Sequence, residues 1–303
     1  MENQLIKIDR SPDGVATITI NRPKSLNSLT KAMITDLARA FKALDADESV
    51  RVIVICGAGR AFCSGVDLTA AEEVFKGDVK DVDTDPVFQM EHCRKPIIGA
   101  VGGFAVTAGF EIALACDVLI AGKNAKFIDT HARNERLSRL ENGEPASHVY
   151  NFWSDCFHVP STCNQSRNPL PENGAGFGIF PSWGLSQKLS RIIGPNRARE
   201  VSLTCMPITA EMAEKWGLVN HVVEGSEVLK KAHEVAEAMI RNNQDLVLRY
   251  KSVINDGFKL DLSHALALEK ERGHAYYDGM TKDQFQKMQT FIASRSSKPS
   301  SKL

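Results

Sequence analysis

The sequence lacks an excess of either charge, since 37 lysine and arginine residues balance 37 aspartate and glutamate residues among 303. Both signs are interspersed along the chain, which argues against a nucleic-acid partner and against a polybasic membrane-binding helix. No run of 18 apolar residues occurs, so we expect no membrane span. Hydrophobic residues nevertheless reach 43%, enough for a globular fold of one or two domains.

Several cofactor and metal signatures are missing as well. The seven cysteines are scattered without a CxxC pair or a zinc spacing, so we expect free, mostly buried thiols, no disulfides and no metal. The dinucleotide fingerprint, the P-loop and the nucleophile elbow do not occur, so nothing favours a dinucleotide, ATP or serine-hydrolase function. The amino-terminal residues lack the cationic and apolar regions of a secretory signal, which predicts synthesis in a reducing cytosol.

The hydropathy pattern predicts an α/β fold. Alternating β-branched residues at 5–8 and 15–20 indicate a hairpin, and helical spacing follows over 33–44. Residues 50–56, 96–101 and 117–121 are short apolar runs typical of strands that are buried on both faces. Strands and helices therefore alternate, as in α/β proteins. After residue 184 only 218–223 has strand character, and helical spacing is found at 185–193, 197–203, 210–215, 228–240, 246–254 and 264–276.

Residues 134–176 do not fit this pattern. They are rich in turn-forming dipeptides such as Asn142-Gly143 and Asn173-Gly174, and their hydrophobic periodicity is weak. A long irregular segment inside a compact domain is usually either a functional lid or a disordered insertion. We favour a disordered or poorly packed insertion, with a functional lid as the alternative.

Two loops contain residues that suit chemistry. The first follows the apolar run 50–56, and its backbone N–H groups can face a ligand, although an ordinary strand-to-helix turn is the alternative. The second runs through glycines into a helix that starts near Ala108, where unpaired N–H groups suit a developing oxyanion. Glu111 lies one turn into that helix and can point back to the same site. The candidate residues of these loops are Ser64, Gly65, Val66, Asp67, Leu68, Ala108, Gly109 and Glu111.

Taken singly, Glu111 is better interpreted as a solvated helix carboxylate, and the glycine pair Gly102-Gly103 as close packing. Together, two backbone donors from separate loops beside one carboxylate are what enolate chemistry at a thioester carbonyl requires.

Five ordered segments resemble the crotonase family, also called the enoyl-CoA hydratase/isomerase family. The resemblance covers nearly the whole chain except residues 134–176, and it is strongest to the plant peroxisomal monofunctional hydratases of that family. The segments are NRPKSLN at 21–27, GRAFCSGVDL at 59–68, KPIIGAVGG at 95–103, AGFEIALACD at 108–117 and GIFP at 178–181.

The resemblance implies a crotonase fold of repeated ββα units. It divides the chain into a core at 1–204, a helical trimerisation region at 205–295 and a tail at 296–303, with assembly as a homotrimer or hexamer. The implied substrate is an acyl-CoA, and no separate cofactor is needed because coenzyme A is part of the substrate.

The resemblance also implies roles for single residues in hydration of trans-2-enoyl-CoA to 3-hydroxyacyl-CoA. The N–H of Ser64 and that of Ala108, or of its neighbour Gly109, would form the oxyanion hole, and Glu111 matches one of two catalytic glutamates. Residues along the coenzyme A moiety would be Lys24, Ser25 and Leu26.

The position of the second glutamate holds His131 instead. An imidazole is chemically admissible as a base, and Asp129 and Glu135 are nearby substitutes. Solvent exposure of His131 is the alternative. With one glutamate in place, a Δ3,Δ2-enoyl-CoA isomerase is also open, because one shuttling base can move a proton between two carbons. A third possibility is a catalytically impaired acyl-CoA-binding isoform, in which the insertion at 134–176 displaces the His131 loop.

The chain ends in Ser301, Lys302 and Leu303, preceded by a polar tail. This tripeptide is a receptor-read peroxisome address, so we expect a peroxisomal import receptor as a partner. Peroxisomes carry out fatty-acid β-oxidation, which agrees with the function that the resemblance implies.

Overall fold

The structure is a computed structural model and describes residues 4–70, 72, 74, 81–132 and 179–296. The predicted insertion at 134–176 and the tripeptide at 301–303 lie outside the described residues. The chain divides into two compact units, 1–244 and 245–303.

The first unit holds two β-sheets. The larger sheet has the strand order β1-β2-β3-β5-β7-β10, and the smaller has the order β4-β6-β8-β9. The strands are β1 Ile6–Arg10, β2 Val15–Ile20, β3 Val52–Gly57, β4 Ala61–Cys63, β5 Ile97–Val101, β6 Phe104–Val106, β7 Val118–Gly122, β8 Lys126–Ile128, β9 Ile208–Thr209 and β10 His221–Val223.

The described helices surround these sheets and then continue into the second unit. They are α1 Lys31–Ala46, α2 Pro86–His92, α3 Ala108–Leu114, α4 Leu185–Ile193, α5 Pro195–Thr204, α6 Ala210–Lys215, α7 Val228–Ile240, α8 Gln244–Gly257, α9 Leu262–Asp278 and α10 Lys282–Ser296.

The predicted hairpin is confirmed, since β1 and β2 pair antiparallel around the turn at 11–14. The next strands, β3, β5 and β7, join the same sheet in parallel. Their side chains alternate between two apolar cores: Val52 and Val54 contact α7 residues, whereas Ile53 and Ile55 lie in the core on the other face. Burial on both faces explains why the sequence of β3 is continuously hydrophobic.

The repeated ββα organisation is visible in how the chain moves between sheets. Strands β3, β5 and β7 lie in the larger sheet, and the strand that follows each of them, β4, β6 or β8, lies in the smaller one. Helix α3 follows β6, so its first residues lie where β4 and β6 end in parallel. This arrangement brings the two predicted loops to one edge of the smaller sheet.

The five described cysteines are not joined in disulfides. Only Cys63 and Cys93 are buried and the other three are half-buried, so the expectation of mostly buried thiols was too strong. Among the described helices, none is long and apolar enough to cross a membrane.

The second unit is helical. The guanidinium of Arg272 on α9 donates to the Asp256 carboxylate (2.7 Å) and to the Ser252 hydroxyl (2.8 Å) on α8. Its helices carry exposed apolar side chains, among them Tyr250, Ile254, Leu262, Leu266, Tyr277 and Phe291.

Candidate active site

The start of α3 lies directly against the turn that follows β4. A Cβ atom built on Gly109 would lie 2.2 Å from the carbonyl oxygen of Cys63, so only a glycine fits at this position. The structure therefore brings together the two loops that the sequence predicted to share a site.

Gly109→Ala is expected to lower kcat about tenfold for the acyl-CoA substrate that the resemblance implies, because the methyl group pushes the two loops apart and misplaces backbone donors. The overpacking is also expected to reduce the free energy of unfolding by about 1–3 kcal/mol. Gly102→Ala is the matched control, since a Cβ there meets nothing within 4 Å. Steady-state kinetics and urea unfolding of both variants measure these effects, and equal behaviour of the two would contradict the packing argument.

The predicted oxyanion donors differ in their surroundings. Ala108 and Gly109 provide the first two N–H groups of α3, which have no acceptor within their own helix. The N–H of Ser64 donates to the carbonyl oxygen of Leu26 (3.1 Å). A thioester oxygen would therefore share this N–H with the carbonyl oxygen of Leu26, or would take the place of that carbonyl as the acceptor.

Asn27 organises the loop that contains Leu26, and the sequence analysis missed it. The side chain is fully buried, and both Leu26 and Asn27 adopt positive φ angles, 51° and 59°. The Asn27 amide nitrogen donates to the carbonyls of Ala58 (2.9 Å), Ala61 (2.7 Å) and Phe62 (3.3 Å). These bonds hold the loop against the segment that leads into Ser64. Asn is a common turn residue, so the local sequence is compatible with a turn at this position. The carbonyl groups that Asn27 contacts lie far along the chain, and the fold brings them to it.

The other predicted binding residues lie on the same two segments. Leu29 bridges to Val66. Asp67 pairs with Arg22 (2.5 Å), and hydrogen bonds from Thr69 and Arg22 outweigh burial and hold the pKa of Asp67 below its usual value. Asp67 is thus a structural anchor of the loop. Lys24 and Leu68 are exposed, Ser25 is half-buried and Leu26 is buried.

Glu111 is buried, with only 2% of its surface exposed, which excludes the solvated-carboxylate alternative. The N–H groups of Trp183 (2.9 Å) and Leu185 (3.3 Å) donate to its Oε1 atom. Leu185 begins α4, whose preceding residue Gly184 has no capping side chain, so Glu111 caps this helix from a distance. Sequence analysis missed these two donors.

The environment of Glu111 favours its protonated form. Burial raises the pKa of Glu111 above 4.5, and the Asp129 charge raises it further, against the opposing effects of His131 and the two N–H donors. The charges of His131 and Asp129 thus act on Glu111. Three of the four predicted acid/base candidates are brought together in this way, and the fourth, Glu135, lies outside the described residues.

His131 is held by Asp129 rather than exposed, since only 8% of its side chain is accessible. Its Nδ1 atom lies 2.7 Å from Oδ1 of Asp129, which also accepts the backbone N–H of His131 (3.0 Å). A carboxylate oxygen only accepts, so Nδ1 carries the proton of this bond. In the neutral ring Nε2 is then free of hydrogen and can accept a proton.

Asp129 is buried but remains a carboxylate. Burial opposes its ionisation, but hydrogen bonds from the side chains of His131 and Ser202 outweigh burial and hold the pKa of Asp129 below 3.8. Ser202 lies on α5, far along the chain, and no sequence signal connects it to Asp129. The three side chains form a hydrogen-bonded series of the kind that orients a catalytic imidazole.

The family model described as "Enoyl-CoA hydratase/isomerase" matches residues 10–134 and 164–298, so residues 135–163 lie outside the match. Among curated proteins, "Probable enoyl-CoA hydratase 1, peroxisomal" of Arabidopsis thaliana is 62% identical over 100% of this chain and 98% of its own length. "Short-chain-enoyl-CoA hydratase" of Clostridium acetobutylicum is 32% identical over 93% of this chain and 92% of its own.

A solved structure of an enoyl-CoA hydratase from Bacillus anthracis is similar in fold. Its TM-score is 0.75 at 28% sequence identity, and the match covers 96% of this chain and 97% of that one. The similarity extends over both sheets and the helical carboxy-terminal region.

Proposed function

The chain belongs to the enoyl-CoA hydratase/isomerase family, and we propose that it is a peroxisomal enoyl-CoA hydratase acting in fatty-acid β-oxidation. It adds water to trans-2-enoyl-CoA and forms 3-hydroxyacyl-CoA. The observation that carries this function, within that family, is the buried Glu111 carboxyl beside the His131–Asp129 pair. Coenzyme A arrives as part of the substrate, so the reaction needs no separate cofactor.

The first task of the site is to stabilise an enolate. As water loses a proton, its oxygen bonds to the β-carbon of the substrate. Negative charge then moves to the thioester oxygen. The N–H groups of Ser64 and of Ala108 or Gly109 would receive that charge, and each such donor contributes on the order of 3 kcal/mol. Lys24, Ser25 and Leu26 would lie along the coenzyme A moiety, on the loop that Asn27 holds in place.

The second task is proton transfer, and one labile proton shared by Glu111 and His131 is enough for it. The group that holds the proton delivers it to the α-carbon, while the other takes a proton from water. The pair again holds one proton after turnover, so the catalyst is regenerated. Burial favours the proton on Glu111, and Asp129 keeps His131 in the tautomer that can accept at Nε2.

We favour hydration over isomerisation because the proposed site holds a second acid/base group, the His131–Asp129 pair, besides Glu111. An isomerase can use a single shuttling base. We expect the enzyme to convert crotonyl-CoA to 3-hydroxybutyryl-CoA faster than it converts a trans-3-enoyl-CoA to its 2-enoyl isomer. Product analysis by liquid chromatography and mass spectrometry separates the two reactions, and isomerisation without hydration would contradict the hydratase function.

The segment 134–176 follows His131 closely in the chain. We propose that it lowers activity, so that the chain as written is a weaker catalyst than the same chain without it. The expected displacement of the His131 loop is not seen, since His131 is bonded to Asp129. The family match supports an interruption here, since residues 135–163 lie outside it.

The peroxisomal location agrees with the relative from Arabidopsis thaliana. We propose that Ser301, Lys302 and Leu303 carry the address that the import receptor reads. Removal of these three residues is expected to leave a fluorescent fusion, with the fluorescent protein at the amino terminus, in the cytosol. A fusion carrying Glu111→Gln but keeping the tripeptide is the control and is expected in peroxisomes, and import of the truncated fusion would contradict this assignment.

A homotrimer or hexamer is the proposed assembly. The exposed apolar side chains of the second unit, such as Ile254 and Leu266, support it, because contiguous exposed apolar surface marks interaction sites. In the proposed division, residues 205–295 form the assembling region, 1–204 the catalytic core and 296–303 the targeting tail.

A further inference from the structure

Thr107, which immediately precedes the donor Ala108, has an unusual backbone conformation. Its φ and ψ angles are 50° and −112°, a region that a β-branched residue rarely adopts. Such residues persist only where their surroundings hold them, and they cluster at functional sites. The contacts of Thr107 therefore indicate what holds this part of the site.

Three hydrogen bonds fix Thr107. Its N–H donates to the carbonyl oxygen of Ile128 (2.9 Å), and its own carbonyl accepts the N–H of Glu111 (2.9 Å). Its hydroxyl lies 2.8 Å from the hydroxyl of Thr130. A threonine at the start of a helix usually caps the helix with its hydroxyl, but Thr107 makes no side-chain capping bond. Its hydroxyl is directed to another loop instead.

The partner Thr130 lies between Asp129 and His131. Strands β6 and β8 pair in parallel up to Val106 and Ile128. The hydroxyl pair links the two segments just beyond these last paired residues. It links the residue before the Ala108 donor to the residue between the two members of the His131–Asp129 pair.

The third neighbour is the Ser64 loop. A Cβ built on Gly65 would lie 3.6 Å from both Cβ and Oγ1 of Thr107, and 3.2 Å from the carbonyl oxygen of Val106. The Thr107 side chain thus lies next to the turn at Gly65 and is hydrogen-bonded to Thr130, the neighbour of His131.

We infer that the Thr107–Thr130 hydroxyl pair is a positioning device that fixes the distance between the oxyanion hole and the His131–Asp129 pair. The inference rests on the proposed hydratase function. It adds Thr107 and Thr130 to the site as positioning residues, which affect catalysis through their neighbours. Because hydration needs simultaneous enolate stabilisation and proton transfer, loosening this distance affects the chemical step more than it affects binding of the coenzyme A moiety.

The test replaces each hydroxyl by a methyl group of similar shape. Thr107→Val and Thr130→Val are each expected to lower kcat for crotonyl-CoA about tenfold or more while KM changes less than about twofold. Thr107→Ser and Thr130→Ser keep the hydroxyl and are expected to restore most of kcat. Because the two hydroxyls act as one pair, the double valine variant is expected to lose no more activity than either single one.

Thr130→Val carries the test should Thr107→Val fail to fold, since Thr130 is not among the residues with positive φ. Thr17→Val is the matched control. It also removes a buried hydroxyl, which lies 3.4 Å from Nε2 of His233 and away from the site, and it is expected to leave kcat unchanged.

A second measurement reports on the oxyanion hole directly. Bound 4-dimethylaminocinnamoyl-CoA absorbs at longer wavelength when donors polarise its thioester carbonyl, and both valine variants are expected to show a smaller shift than the parent. Valine variants with the kcat and absorption shift of the parent, or an equal kcat loss in Thr17→Val, would overturn the inference. A parent that neither hydrates crotonyl-CoA nor binds the probe would overturn the proposed function, and this inference with it.

Discussion

Glu111→Gln is expected to lower kcat for crotonyl-CoA hydration about 10³-fold, within the range found for loss of a positioned acid/base group. Glutamine keeps the shape of the side chain and an oxygen that can accept the Trp183 and Leu185 N–H groups. It neither gives nor takes a proton, so the proton shared with His131 loses one of its two carriers. Loss of enoyl-thioester absorbance, measured at saturating substrate, gives kcat directly.

The same substitution is expected to leave the fold intact and to raise Tm near pH 7. Burial raises the pKa of Glu111 above its ordinary 4.5, so the ionised carboxylate is disfavoured in the folded protein. The stabilising contribution of Glu111 is therefore present below 4.5 and lost as the pH rises through the raised pKa. Glutamine avoids that loss, so its advantage in Tm is expected to shrink as the pH is lowered toward 4.5.

A Glu111→Gln variant that retains most of its kcat would remove Glu111 from the chemistry. A variant that unfolds at a lower temperature would show that the carboxyl contributes mainly as a cap for α4. The two readouts thus separate the catalytic role from the structural one.

Asp129→Asn is expected to lower kcat for crotonyl-CoA hydration about 10²-fold, with little change in KM. The amide cannot hold the Nδ1 proton of His131 as a carboxylate does, so the imidazole loses its fixed orientation and tautomer. The parent is expected to show a bell-shaped dependence of kcat on pH. When the Glu111–His131 pair holds two protons, neither group can accept one from water, and when it holds none, neither can donate one to the α-carbon. Asp129→Asn is expected to alter this pH profile, which a pH series of initial rates measures.

A second Asp–His pair provides the matched control. Asp261 accepts hydrogen bonds from the side chain of Ser263 and from His264 on the surface of the second unit, and these bonds lower the pKa of Asp261 to about 2. Asp261→Asn removes the charge from an equivalent pair and is expected to leave kcat and its pH profile unchanged. Equal losses in Asp129→Asn and Asp261→Asn would contradict a specific role for the His131–Asp129 pair.

The long apolar and alternating patterns were sufficient to predict the main architecture. Strand β3 and the β1–β2 hairpin follow from local sequence, and helices α4, α6 and α7 begin and end at the predicted residues. Strands β4, β6, β8 and β9 contain only two or three residues, too few for a periodicity to be read. Helix α10 was missed because its apolar residues do not gather on one face.

The residues of the site likewise fall into those that the sequence predicted and those that it did not. Glu111, Asp129 and His131 are recognisable because carboxyl and imidazole groups in motif positions suggest chemistry. The groups that tune them, the N–H of Trp183 and the hydroxyl of Ser202, come from distant segments and are set by tertiary packing. The spacing of residues along the chain does not indicate such contacts.

The most direct test of the whole account is the initial rate of crotonyl-CoA hydration by three purified proteins: the chain as written, its Glu111→Gln variant, and the chain without residues 134–176. We expect 3-hydroxybutyryl-CoA from the chain as written, almost none from Glu111→Gln, and a higher rate after the deletion. No hydration by the chain either with or without residues 134–176, or a rate that Glu111→Gln leaves unchanged, would contradict the hydratase function proposed for this site.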